Sequence, residues 1–219
     1  LDRSFYFEQL YPLQDEVLRL LTSLDTGLYL TGGTAASRGY LTHRFSDDLD
    51  LFANDAKPFA LWSDRLVQAL AGDHAWNLKV AQREERFVRL FVERQEVPLK
   101  IELVNDVPAH VGDIRLHPVL GRLDSPENIL ANKISALIDR EEPKDMADIW
   151  GFCCRMGLSI ESALENAGSK AAGIFPVDVA RLLCSVTTKD WSLVRWIEAP
   201  QEDVFLAEVW GLGEKLIVG

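Results

Sequence analysis

Apolar residues recur along this chain at two spacings, and the change from one to the other divides it. From Pro12 to Leu24 they fall three or four positions apart, at Leu13, Val17, Leu20, Leu21 and Leu24, which predicts an amphipathic helix packed on a core. From about Leu28 the period drops to two. Strands are predicted near 28–31, 48–53, 77–83, 86–94 and 98–104, with helices over 34–40 and 58–71 and an edge strand over Asp113–Pro118. Beyond Ser125 the helical spacing returns, first as the stripe Ile129, Leu130, Ile134, Leu137 and Ile138. Further helices are expected over Ile160–Ala167, Pro176–Cys184, Leu193–Trp196 and Glu202–Leu212, separated by Gly168, Gly173 and Pro200. The expectation is an α/β fold: a lobe with a mixed sheet over residues 1–118 and a helical lobe over 119–219 that completes a cleft.

Two segments of the first lobe carry chemistry. Leu28-Tyr29-Leu30-Thr31 reads as a short buried strand, and Gly32-Gly33-Thr34 after it lets the backbone turn tightly into a helix. Backbone N–H groups at such a turn attract an anion, and Thr34 adds a hydroxyl. Downstream, Ser46-Asp47-Asp48-Leu49-Asp50-Leu51-Phe52 alternates polar with apolar, so Asp48 and Asp50 share one strand face. Two neighbouring carboxylates repel unless a cation sits between them, and magnesium or manganese bridging to phosphate suits that geometry. A solvated strand edge has the same local pattern. In Pro98-Leu99-Lys100-Ile101-Glu102-Leu103-Val104, Glu102 alternates with aliphatics and is the candidate third acid; it also fits an outward position of an antiparallel strand.

The helical region offers a third cluster. Ser125 and Pro126 suit a helix start, and Lys133 and Arg140, seven residues apart, fall on nearly one side of that helix, where two cations can meet a triphosphate. Pro143 ends it and starts another helix, which puts Asp145 in a first turn, where an acid is also favoured structurally.

Taken in order, these segments resemble the AbiEii/AbiGii-type toxins, a branch of the DNA polymerase β-like nucleotidyltransferases. The likeness lies in Gly32-Gly33-Thr34, in His43 to Phe52, and in Lys133, Ala136, Arg140, Lys144, Asp145 and Asp148. The family pattern has arginine where Lys144 stands, so the charge is kept without the planar fork. The resemblance implies a polymerase β-like fold and transfer of a nucleoside monophosphate from a nucleoside triphosphate (NTP) to an acceptor hydroxyl. It also implies a role as toxin in a toxin–antitoxin or phage-defence system, an antitoxin partner, and RNA ends such as tRNA 3′ termini as acceptors. On this reading Asp48, Asp50 and Glu102 hold the metal. Gly32, Gly33, Thr34 and Ser46 grip phosphate, Lys133 and Arg140 steady the departing pyrophosphate, and Asp145 joins the catalytic set. Two alternatives remain: a small-molecule, antibiotic-type nucleotidyltransferase, and a non-catalytic nucleotide- or antitoxin-binding module.

Composition narrows the setting. The 219 residues include 23 basic and 34 acidic ones, a formal charge of −11, which disfavours long non-specific contact with nucleic acid. A local exception is Arg83, Arg86, Arg89 and Arg94, where an RNA end could lie; the balancing acids expected there are Glu84, Glu85, Glu93 and Glu96. Cys153, Cys154 and Cys184 form an odd set without metal-ligand spacing, consistent with reduced thiols and a cytoplasmic protein. No run predicts a membrane span, and no secretory signal is evident. His43, His74, His110 and His117 lack ligand spacing, and His43 reads as a turn residue.

Overall fold

Leu49, Leu51 and Ala53 are buried while Asp50, Phe52 and Asn54 between them are only partly so, and this alternation sets the two faces of a sheet. The protein is described by a computed structural model over residues 3–73 and 75–218. His74 lies outside the described residues, as do Leu1, Asp2 and Gly219.

A π-helical segment Phe5–Leu10 runs into α1 (Tyr11–Ser23), followed by β1 (Tyr29–Thr31), the single turn α2 (Gly32–Thr34) and a second π-helical segment, Ala35–Leu41. Next come β2 (Leu49–Asn54), α3 (Phe59–Ala71), β3 (Asn77–Arg83), β4 (Phe87–Arg94), β5 (Val97–Asp106), β6 (Arg115–His117) and β7 (Gly121–Leu123). The rest is helical: α4 (Pro126–Arg140), α5 (Pro143–Trp150) with its π-helical extension Gly151–Arg155, α6 (Ile160–Lys170), α7 (Pro176–Cys184), α8 (Thr188–Leu193) and α9 (Glu202–Val218). The expected α/β class with a mixed sheet and a helical C-terminal region is the one the chain adopts.

Two compact units result. One contains the chain up to Ala35 together with Ser46–Asp124; the other contains Ala36–Phe45 and the chain from Ser125 onward. The first holds the whole sheet, in the order β3-β4-β5-β2-β1-β7-β6. β2 runs parallel to β5, and β1 to β7, while the remaining neighbours are antiparallel. Val88, Leu90 and Val92 of β4, Leu99, Ile101 and Leu103 of β5, and Leu49 and Leu51 of β2 are all buried, as are Val17 and Leu18 of α1 and Leu66 and Leu70 of α3. The other face carries the polar alternates, among them Asp50, Lys100 and Glu102. β7 escaped the sequence reading because three residues are too few to show a period.

In the second unit, Ser125 caps α4 by accepting from the Asn128 N–H at 3.0 Å, and Pro126 occupies the first turn. The helix stops at Glu141, whose φ of 47° is left-handed. Trp150, Trp196 and Phe205 meet edge to face at centroid distances of 5.4–5.9 Å. The helix expected over Leu193–Trp196 is displaced toward the N-terminus, as α8. The Thr187 N–H donates to Asp190 Oδ2 at 2.8 Å and fixes the earlier start. Arg195 to Ile197 instead pair with His43 to Phe45: the Phe45 N–H donates to the Arg195 carbonyl at 2.8 Å and the Ile197 N–H to the His43 carbonyl at 2.9 Å. That pairing explains why Ala36–Phe45 groups with the helices.

Candidate active site

Strand register sets a polar row across the sheet of the first unit. Asp50 of β2 stands opposite Thr31 on β1 and Glu102 on β5, and Glu102 stands opposite Arg89 on β4. Directly paired residues project to one face, so Thr31, Asp50, Glu102 and Arg89 share it. The chain leaves β1 through Gly32, whose φ of +67° is left-handed, and a Cβ there would collide with the Asp50 carboxylate. The glycine turn is thus pressed directly against Asp50.

The segment leading into β2 is held on several sides. The buried Thr34 hydroxyl donates to the Asp48 carbonyl at 2.5 Å and lies 3.0 Å from the Ser46 hydroxyl. Gln14, fully buried in α1, donates to the carbonyls of Asp47 at 2.9 Å and Ser46 at 3.2 Å. Tyr6 donates to Asp47 Oδ1 at 2.8 Å, and the Ser46 N–H to the Tyr11 hydroxyl at 3.4 Å. These contacts fix where Asp48 and Asp50 enter the strand. The Gln14, Tyr6 and Tyr11 roles have no sequence signal, because one polar position on an amphipathic helix looks like any other.

Asp48 and Glu102 share a cation from their own sheet. Lys100 Nζ is 2.9 Å from Asp48 Oδ2 and 3.3 Å from Glu102 Oε2. Arg89 takes the other Glu102 oxygen, Oε1, at 2.7 Å, with its guanidinium over the Phe87 ring. Burial alone would raise the Glu102 carboxyl, but Arg89 and Lys100 outweigh it and hold the group below its usual range. For Lys100, burial pulls downward and the Asp48 and Glu102 carboxylates win, raising it. Among the described residues no group of three or more His, Cys, Asp or Glu side chains is arranged to hold a metal ion.

Beside the row, Thr31 donates to the fully buried Asp124 at 2.6 Å, and His110 Nε2 is 2.9 Å from the other Asp124 oxygen. Thr31 is thereby anchored immediately before Gly32. All four arginines of the β3–β4 region find acids, though not the neighbours expected from sequence: Arg83 pairs with Asp64, Arg86 with Asp55, Arg89 with Glu102 and Arg94 with Glu16. Cross-strand, helix and loop partners supersede sequence neighbours here.

The second unit contains a buried ion network. Arg44 grips Asp148 through two parallel bonds, Nε to Oδ1 and Nη2 to Oδ2, each 2.7 Å. Lys133, only 5% exposed, bridges Asp145 Oδ1 and Asp148 Oδ2 at 2.7 Å each, and Arg140 Nε binds Asp145 Oδ2 at 2.7 Å. Burial would raise both carboxyls. The Arg44 and Lys133 charges hold Asp148 well below the ordinary range, and Lys133 and Arg140 hold Asp145 down. Lys133 is itself raised, because Asp148 and Asp145 outweigh its desolvation. His43 lies in the irregular connection after the second π-helical segment and is buried there, with Nε2 3.0 Å from Asp148 Oδ1 and Nδ1 unpartnered, and burial lowers its pKa. Lys144 pairs with Glu142 at 2.7 Å. The His43–Arg44 pair gave no local sign of its burial, which depends on Asp148 more than a hundred residues away.

The family model described as nucleotidyl transferase AbiEii toxin, type IV TA system, matches residues 18–184. Among solved structures, MenT4, a nucleotidyltransferase toxin from Mycobacterium tuberculosis H37Rv, aligns with a TM-score of 0.69 at 18% identity, over 96% of this chain and 83% of its own. The JHP933 protein of Helicobacter pylori aligns with a TM-score of 0.62 at 18% identity, over 99% and 92%. A further H. pylori structure gives 0.63 at 17% identity over 95% of each chain. No curated protein matches significantly. Among the described residues no helix is long and apolar enough to cross a membrane.

Proposed function

The chain belongs to the AbiEii nucleotidyl transferase toxin family and is on that ground a nucleotidyltransferase, and from this premise we propose that it moves a nucleoside monophosphate from a metal-bound NTP to an acceptor hydroxyl as the toxin of a toxin–antitoxin or phage-defence pair. The single observation that carries the reading is the placement of Asp50, set between Thr31 and Glu102 in the sheet and pressed against the Gly32 turn. An anion-receptive glycine turn and a carboxylate in contact are what a metal triphosphate needs, one for phosphate oxygens and one for the cation.

The donor set fits magnesium or manganese as a site of few protein ligands. Hard oxygen donors are present, Asp48 is partly exposed, and Mg²⁺ commonly takes one or two carboxylates with water and substrate phosphate completing its shell. Asp48 and Asp50 would hold the ion, with Glu102 beside them ordering Lys100 and Arg89. When bound, such an ion neutralises triphosphate charge and favours in-line displacement at the α-phosphorus.

The protein's own part is to position and to neutralise. Gly32 and Gly33 offer backbone N–H groups to phosphate oxygens, while Thr34 and Ser46 order the Asp48 segment beside them. In the second unit the cations Arg44, Lys133 and Arg140 are matched by Asp145, Asp148 and Glu142, the last 3.8 Å from Arg140; the role of Lys133 and Arg140 toward pyrophosphate rests on the family resemblance alone. Asp145 keeps Lys133 and Arg140 in place. The family's toxin–antitoxin setting supports an antitoxin protein as partner. An RNA end such as a tRNA 3′ terminus is the acceptor class we favour. Three free thiols support a reducing, cytoplasmic setting.

The test is to incubate the purified chain with each labelled NTP and Mg²⁺ in the presence of RNA, protein or small hydroxylated acceptors. Label should move to RNA and should be lost in the Asp48→Ala, Asp50→Ala double variant. A double variant as active as wild type would overturn the assignment. Label on a small molecule alone would favour the antibiotic-type alternative.

A further inference from the structure

Two carboxylates from different segments, Asp48 ahead of β2 and Glu102 on β5, converge on one ammonium group. Lys100 Nζ lies 2.9 Å from the first and 3.3 Å from the second. It reaches them because Leu99, Ile101 and Leu103 point into the core, which sends Lys100 and Glu102 to the opposite face of β5. Glu102 does not depend on Lys100 for compensation, since Arg89 binds its other oxygen with both Nε and Nη2 at 2.7 Å. Asp48 gains Lys100 as a charge partner.

The two cations differ in a way that matters. Arg89 is a planar fork locked on one carboxylate and stacked on Phe87. Lys100 is a compact charge on a flexible stem and remains 30% exposed, so it can leave its partners without breaking packing. Lys100 Nζ, 2.9 Å from Asp48 Oδ2, also occupies a point at which a divalent ion would take the Asp48 carboxylate. The ammonium and the ion cannot share that point, because like charges a few ångströms apart repel strongly.

We propose that Lys100 is a displaceable counter-ion: it neutralises Asp48 in the metal-free protein, yields to the divalent ion that arrives with the nucleotide, and then turns its ammonium to a non-bridging oxygen of the triphosphate. This rests on the reading of Asp48 and Asp50 as metal-holding residues. The consequence is ordered loading. Free metal ion binds poorly because it must evict a cation, whereas metal with triphosphate binds well because the evicted cation finds a new anion. Lys100 is thus a positioning residue without nucleotide and a substrate-binding residue with it.

The experiment measures Mn²⁺ binding to the full chain by electron paramagnetic resonance, first alone and then with inorganic triphosphate as probe. Lys100→Met should bind free Mn²⁺ about tenfold more tightly than wild type and Mn²⁺-triphosphate about tenfold more weakly, each step being the gain or loss of one close charge. Lys100→Arg should stay near wild type for free Mn²⁺. Arg86→Met, which removes an equal charge from the Asp55 pair, should change neither and controls for net charge. Thermal melts establish that each variant is folded. If Lys100→Met and wild type bind free Mn²⁺ equally while Asp48→Asn, Asp50→Asn abolishes binding, the counter-ion role is refuted and the metal site stands. If the double asparagine variant binds Mn²⁺ as wild type does, the metal site itself falls. Unchanged Mn²⁺-triphosphate affinity in Lys100→Met refutes the transfer of the ammonium to phosphate.

Discussion

Gly32 and Asp50 are fitted to each other: the glycine holds a left-handed φ of +67°, and a methyl group there would strike the Asp50 carboxylate. The turn and the acid therefore cannot vary independently. Gly32→Ala should cost about 1–2 kcal/mol in backbone strain, leaving the protein folded. Its larger effect is on chemistry, since pushing Asp50 aside by about 1 Å should lower nucleotide transfer by roughly 100-fold. A label-transfer assay read beside a thermal melt checks both, and a variant with wild-type turnover would refute the coupling.

The buried network of the second unit predicts a different balance, with stability affected first. Asp148 is fully buried and accepts from Arg44, Lys133 and His43. Asp148→Ala removes the buried carboxylate shared by Arg44 and Lys133, leaving Lys133 with Asp145, and should destabilise by about 3–5 kcal/mol. Arg44→Lys keeps the charge but loses the fork, so it should fall between wild type and Asp148→Ala. Urea denaturation followed by tryptophan fluorescence measures the order, and equal midpoints for all three proteins would contradict it.

Acid should weaken this unit in two stages. His43 has a lowered pKa because it is buried, and its Nδ1 has no acceptor for a second proton. The unfolded chain, titrating near 6.5, therefore binds more protons, and stability declines as pH falls below about 6.5. Asp145 and Asp148, held down by their cations, contribute stability that is present above the ordinary carboxylate value of about 3.9 and lost as pH falls through their folded values. Lys133 acts in the other direction, since its raised pKa gives stability that is full below about 10.4 and lost above. Denaturation midpoints should decline as pH falls below about 6.5, a decline absent in His43→Gln, and fall more steeply below about 4. A flat profile between pH 7 and 5 would rule out the His43 contribution.

Sequence periodicity carried most of the fold because each central strand has one buried face, so Leu49, Leu51, Leu99, Ile101 and Leu103 declare their own pleat. It could not reveal register. That Asp50 stands opposite Glu102 follows from the parallel pairing of β2 with β5, a contact across some fifty residues for which neither segment carries a local signal. For the same reason the sequence marked Glu102 as a candidate third acid, with an outward position as the alternative, and gave no sign that Lys100 would be shared between Glu102 and Asp48. Lys133 and Arg140 were visible as cations on one helix side, yet their capture by Asp145 depends on how α5 folds back after Pro143. The helix placed over Leu193–Trp196 failed because the pairing of Arg195 to Ile197 with His43 to Phe45 outweighed local apolar spacing.

The three cysteines give a last test, of environment rather than chemistry. Burial pushes the Cys153 thiol up to about 12 and Cys154 up to about 11, so neither offers much thiolate at neutral or mildly basic pH. Cys184, at the C-terminal end of α7, is exposed. Thiol titration with a chromogenic disulfide at pH 8 should therefore show one fast reaction in the native protein and three after denaturation. Cys184→Ser should remove the fast phase and leave the other two thiols protected. Three fast thiols in the native state would mean that the α5 extension carrying Cys153 and Cys154 opens readily, which would also weaken the case for a rigid Asp145–Asp148 network immediately before it. A reaction count of fewer than three after denaturation without reductant would instead point to a disulfide, against the reduced state that the proposed cytoplasmic setting requires.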